Sequence, residues 1–187
     1  MSIVRRALLR DIPAMLGVIN AYAAKGIMLP RTEFEMAENI RDFVVAEIPA
    51  IDTGPASIVG CGALHFYTPQ SAEVRSLAVD PARKAEGLGR RIVEALEIEA
   101  NENGLSTVFA FTYVPGFFTK LGFEQVDRGE LPLKAWKDCL RCPKFQACDE
   151  IAMLKRYKPD APRQVSPFLN VIQSGDSIHI PLPSSQR

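Results

Sequence analysis

The sequence predicts an α/β fold built as one domain, and three observations carry that prediction. Segments of strand period alternate with segments of helical period through residue 157. One stretch, residues 73–96, passes from an alternating strand through a Pro- and Gly-bearing turn into a helix. At 187 residues and 47% hydrophobic content, the chain can bury one sizeable core but is short for two full domains. The 22 Lys and Arg balance the 22 Asp and Glu, so no nucleic-acid-binding field is expected. The N-terminus shows no signal-peptide core and no apolar run reaches a membrane span, which together predict a soluble, cytoplasmic protein.

In chain order, residues 2–9 read as a first strand. Asp11 is placed to cap the next helix, with Pro13 in its first turn and Ile12, Met15, Leu16, Ile19 and Ala23 at helical spacing until Gly26. Thr32-Glu33-Phe34-Glu35 has the form of a capping box, opening a second helix with Phe34, Ala37, Ile40 and Val44 along one side. Residues 43–48 and 57–67 read as strands separated by a turn containing Asp52, Gly54 and Pro55. In residues 73–79, strict alternation puts Glu73, Arg75, Leu77 and Val79 on one face and Val74, Ser76 and Ala78 on the other.

A helix from about Gly87 ends at Gly104; residues 107–113 are β-rich, residues 117–123 form a short helix and turn, and residues 150–157 form a last strand. Residues 127–149 are an irregular insert holding Trp136 and three of the four cysteines. Residues 158–187 are a Pro-rich extension in which 168–172 and 177–180 could pair as a hairpin or order against a partner subunit, leaving a homodimer open.

The turn within residues 73–96 has the makings of an anion cradle: tight backbone at Gly87 and Gly89 precedes a helix whose first N–H groups point outward. Its residues Val79-x-Pro81-x-x-Lys84-Ala85-x-Gly87-Leu88-Gly89 resemble the acetyl-CoA-binding motif of the GNAT family of N-acetyltransferases, with Lys84 where Arg or Gln is usual. Phe118-x-x-x-Gly122-Phe123 resembles the family's late aromatic signature, and the order of elements over residues 2–157 agrees. More narrowly, Met28-Leu29-Pro30-Arg31, residues 38–43, residues 73–79 and Trp136-Lys137-Asp138-Cys139-x-x-Cys142 resemble stand-alone N-acetylglutamate synthases.

The resemblance implies the GNAT fold over residues 1–157, a mixed, mostly antiparallel sheet of six to seven strands flanked by about four helices. It also implies direct acetyl transfer from acetyl-CoA to a primary amine, glutamate being the expected acceptor, as the first step of arginine biosynthesis. Cofactor contacts are expected from Leu77, Ala78 and Val79 and from Lys84, Ala85, Glu86, Gly87, Leu88, Gly89 and Arg90. Glu73 occupies the strand position where family members carry a base. Phe118 stands where many relatives supply a tyrosine acid, so Tyr113 is the substitute candidate.

Arg75 and Arg31 are the candidate partners for the acceptor's carboxylates. Cys139, Cys142 and Cys148 offer three thiolates where structural zinc takes four ligands, so zinc is not favoured and no metal is assigned. Two other readings remain open: transfer to a different small amine, and an acetyl-CoA-binding regulatory module without catalysis.

Overall fold

The computed structural model describes residues 2–50, 56–131, 142, 144 and 147–157. They form, in order, strand β1 (Ile3–Arg6), helices α1 (Ile12–Ala23) and α2 (Glu33–Glu38), and strands β2 (Phe43–Ile48), β3 (Ser57–Thr68) and β4 (Ser71–Val79). Helix α3 (Leu88–Glu102), strand β5 (Thr107–Thr112), helix α4 (Pro115–Thr119), and strands β6 (Glu124–Gln125) and β7 (Ile151–Arg156) follow. The seven strands make one sheet in the order β1-β2-β3-β4-β5-β7-β6, antiparallel throughout except for the parallel β4–β5 pair. This is the expected mixed, mostly antiparallel sheet. No helix among the described residues is long and apolar enough to cross a membrane.

The sheet is covered on both faces. On one, Leu88, Ile92, Val93 and Leu96 of α3 are fully buried against Val44, Leu64 and Val74. Gly60 and Gly62 in β3 make this approach possible, since a Cβ on Gly62 would lie 2.8 Å from Ile92 Cγ2. On the other face, Met15 and Ile19 of α1 pack with Val45, Cys61 and Ala63. A smaller apolar group, Phe109, Leu131, Ala152 and Leu154, packs against Tyr67.

Three local expectations are corrected. Asp11 does not cap α1 through its side chain; the carboxylate turns back to accept from Arg5 at 2.7 and 3.0 Å and from the Leu8 amide at 2.8 Å. The capping box at Thr32 and Glu35 is present, but α2 stops at Glu38 and buries Met36, while Phe34 is 70% exposed and Val44 belongs to β2. Six residues are too few to present the longer helical stripe, and the chain turns through Ile40–Asp42 into the sheet. Pro81–Glu86 folds as a 3-10 helix before α3, a feature the sequence reading left as turn. The turn at residues 51–55, Trp136, Cys139 and the extension from residue 158 lie outside the described residues.

Candidate active site

The site begins with two irregularities in β4. Its parallel ladder to β5 has three pairs, Ser71 to Thr107, Ala72 to Val108 and Glu73 to Phe109. Beyond Glu73, β4 runs on to Val79 without a ladder partner among β5 residues. On the other side, Cys61 pairs with Ala78 and Ala63 with Arg75, so Ser76 and Leu77 together oppose Gly62. That is a β-bulge, and Ser76 takes φ +51 to make it.

The bulge overturns the expected alternation. Val74, Leu77 and Val79 all pack toward α3, whereas Ala78 packs on the α1 face. Glu73 and Arg75 lie on the second face: Glu73 accepts from the Tyr67 hydroxyl at 3.0 Å, and Arg75 Nη2 donates to Asn39 Oδ1 at 3.3 Å and lies 3.8 Å from Asp42 Oδ2. Asp42 is also 2.7 Å from His65 Nδ1. The buried carboxylate is thus held from β3, and the largely buried Arg75 side chain from the turn before β2.

A cavity of about 1180 Å³ fills the opening between β4 and β5. It brings together Glu73, Arg75, Arg31 and Tyr113 with Leu77, Val79, Lys84, Ala85, Gly87, Gly89 and Arg90. Ala78, Glu86 and Leu88 do not line it: Ala78 points to the α1 core, Leu88 is fully buried beneath α3, and Glu86 is exposed and 3.0 Å from Arg83. Their side chains are therefore not available to a ligand in this cavity.

Backbone contributes to the lining where α3 begins, at Gly87 and Gly89. Gly87 adopts φ +72 directly before Leu88, the left-handed conformation in which a Cβ is strained, and α3 starts with no side-chain cap. The first-turn amides of α3 are consequently open to an anion. Lys84 places its ammonium 5.2 Å from the Tyr22 ring centroid, and the buried Tyr22 hydroxyl donates to the Val79 carbonyl at 2.6 Å. Tyr22 was missed as a site residue because its place at helical spacing after Ile19 reads as core.

Arg31 enters from the α1–α2 connection. Its backbone is held by Asn20, with its N–H donating to Oδ1 at 3.0 Å and its carbonyl accepting from Nδ2 at 3.1 Å, and Nε donates to Ser76 Oγ at 3.4 Å. The connection that holds Arg31 therefore touches the bulge.

On the opposite wall, the Tyr113 hydroxyl donates to Asp149 Oδ1 at 2.9 Å and accepts from Lys144 Nζ at 3.1 Å. Desolvation is the leading cause that raises the phenol above its ordinary value, so it remains a proton donor at neutral pH. The Tyr113 hydrogen bond is the leading cause that holds Asp149 below the usual carboxylate range. Phe118 is buried against the rings of Phe117 and Phe123, at 5.1 and 5.2 Å between centroids. Cys142 and Cys148 border the cavity as free thiols, and no group of three metal-ligating side chains occurs among the described residues.

A sheet that parts beside an uncapped helix start, with a carboxylate at the point of parting, can hold an anionic group on backbone amides beside a proton-accepting side chain. The acetyltransferase (GNAT) domain family matches residues 39–125. The chain is 42% identical over 152 residues to an uncharacterised N-acetyltransferase of Chlorobaculum tepidum, covering 81% of this chain and 94% of that one. It is 37% identical over 125 residues to an amino-acid acetyltransferase of Mycobacterium tuberculosis, covering 67% and 70%. This chain belongs to the GNAT family of N-acetyltransferases.

Among solved structures, a Mycobacterium tuberculosis protein in complex with CoA superposes with a TM-score of 0.70 at 30% identity, over 83% of this chain and 99% of that one. The Neisseria gonorrhoeae N-acetylglutamate synthase complexed with coenzyme A and N-acetyl-glutamate superposes at 0.73 over 84% of this chain but 35% of that one; at 24% identity, that likeness concerns the fold. The chain spans 29% of the amino-acid acetyltransferase of Pseudomonas fluorescens.

Proposed function

We propose that this acetyltransferase moves the acetyl group of acetyl-CoA to the α-amine of free glutamate, in a ternary complex. The observation that carries the reading is the convergence of Glu73, Arg75 and Arg31 on one cavity, beside the open edge of β4. The remaining backbone polar groups of the edge from Leu77 to Val79 match the pairing an extended amide-containing arm needs. The amides beginning α3, reinforced by the helix dipole and Lys84, suit a pyrophosphate.

In this reading, a backbone N–H of the Leu77 to Val79 segment supports the charge that develops on the acetyl oxygen, an effect of about 3 kcal/mol for one such donor. Glu73 takes the proton that the acceptor's ammonium must lose before it attacks, directly or through a water. Arg75 and Arg31 engage the acceptor's carboxylates, which favours a dicarboxylate over a polyamine. Tyr113 supplies the proton for the leaving thiolate; its hydroxyl exchanges its bond to Asp149 for that role.

Thiol release from acetyl-CoA across a panel of amino acids and amines tests the proposal. Turnover confined to glutamate supports it. Turnover only with other amines replaces the acceptor, and tight acetyl-CoA binding with no turnover on any amine favours the regulatory module.

A further inference from the structure

We infer that Tyr67 is a positioning residue for Glu73, fixing its carboxylate at the point where β4 and β5 part. This inference rests on the base reading of Glu73 given above.

Glu73 is 1% exposed, and its Oε2 accepts from the Tyr67 hydroxyl at 3.0 Å. A buried carboxylate needs such a donor, and a donor to the ionised form keeps that form favoured in a desolvated place. The ring that carries the hydroxyl is itself held. It meets His65 edge-on at 5.1 Å between centroids and lies 5.6 Å from Phe109, the residue paired with Glu73 across the last rung to β5. Tyr67 follows His65, the register partner of Glu73, by two residues along β3, and lies within a second register shift between Phe66 and Thr68.

Charged and titratable groups face Glu73 from several elements among the described residues. Across the ladder on β3 stand His65, its register partner, and Tyr67; two residues along β4 is Arg75. Asp42 joins His65 to Arg75 from the turn before β2, at 2.7 and 3.8 Å. From β5 comes only the apolar Phe109 at the pairing position, while Arg128, Lys144 and Glu150 border the same cavity. The Tyr67 hydroxyl contacts the carboxylate directly while Tyr67 does not line the cavity, so its removal acts on the base without touching the start of α3.

The test compares the parent, Tyr67→Phe, Glu73→Gln and the double variant, by thiol release as a function of pH with the acceptor that supports turnover. Phe keeps the ring and its packing on His65 and Phe109. For Tyr67→Phe we expect kcat to fall about tenfold, the size of one hydrogen bond to a charged group. The KM for acetyl-CoA should stay within about twofold, and the acid limb of the rate profile should move to higher pH, because the charged base has lost a donor. Glu73→Gln should lose that limb and leave a profile set by the amine alone; the double variant should be no slower than Glu73→Gln.

A Tyr67→Phe profile superimposable on the parent, with the limb still abolished in Glu73→Gln, overturns the positioning role and leaves the base reading standing. Persistence of the limb in Glu73→Gln overturns the base reading and this inference with it. A loss in Tyr67→Phe matched by a raised acetyl-CoA KM and no shift in the limb identifies a packing defect and overturns the inference.

Discussion

The two walls of the cavity are made of different materials. One wall, which the proposed reading gives to the cofactor, is main chain: the stretch of β4 past Glu73 that has no ladder partner in β5, Gly87 in its left-handed conformation and the uncapped start of α3. The other wall is side chain: Glu73, Arg75 and Arg31 line it, held from behind by Tyr67, Asn39 and Ser76 respectively; in the proposed reading it is the acceptor wall. A backbone wall tolerates changes of side chain but not of conformation; a side-chain wall has the opposite sensitivity. The comparison therefore predicts that substitutions on the two walls separate into different kinetic constants.

The largest effect is expected for Glu73→Gln, a fall in kcat of about 100-fold with the acetyl-CoA KM unchanged. A variant that instead weakened acetyl-CoA binding would erase the division between the walls. Arg75→Ala should raise the acceptor KM about tenfold and leave that of acetyl-CoA alone; steady-state kinetics with each substrate varied in turn distinguishes the two.

On the other wall, Gly87→Val forces a β-branched residue to φ +72. It should cost about 1–2 kcal/mol in stability, read by denaturant unfolding, and raise the acetyl-CoA KM while sparing the acceptor's. Tyr22→Phe removes the donor to the Val79 carbonyl and should cost about 1 kcal/mol, with a severalfold rise in acetyl-CoA KM.

The smallest effect lies outside both walls. The Arg5 hydrogen bond is the leading cause that holds the Asp11 carboxyl below its ordinary value, and the Leu8 amide adds to it. A depressed carboxyl contributes stability that is fully present above the unfolded-state value and is lost as pH falls through the folded-state value. Asp11→Asn should therefore lower the melting temperature at neutral pH and flatten its decline in acid, with kinetics unaltered at both walls.

The backbone wall was largely legible in the sequence as structure, because a left-handed turn demands glycine and a helix start follows local rules. Its floor needs Gly87 and the first turn of α3, all within a few residues. The acceptor wall was legible as residue types but not as a structure. Glu73, Arg75 and Arg31 could be singled out, yet their anchoring depends on Asp42 meeting His65 across 23 residues of chain and on Arg75 meeting Asn39 across 36.

The bulge was hidden for a different reason. Val74, Ser76 and Ala78 satisfy a two-residue period as small or apolar residues, so nothing broke the apparent alternation. The residues that do pack toward α3, Val74, Leu77 and Val79, are spaced by three and then two, which is the trace a bulge leaves. Phe34 misled in the same way: its hydrophobicity outweighed Met36 in the pattern, but α2 is too short to bring both to the core.

The parting of β4 from β5 also makes an edge in the interior of a sheet. Ordinary edges lie at the rim, where another chain can add to them and seed aggregation. Here the edge faces the cavity between β4 and β5, and the rest of the sheet flanks it on both sides. The same peptide groups that would be hazardous at the rim thereby become a reserve of stability released only by the correct guest. Saturation with acetyl-CoA should raise the melting temperature in proportion to the logarithm of its concentration above Kd.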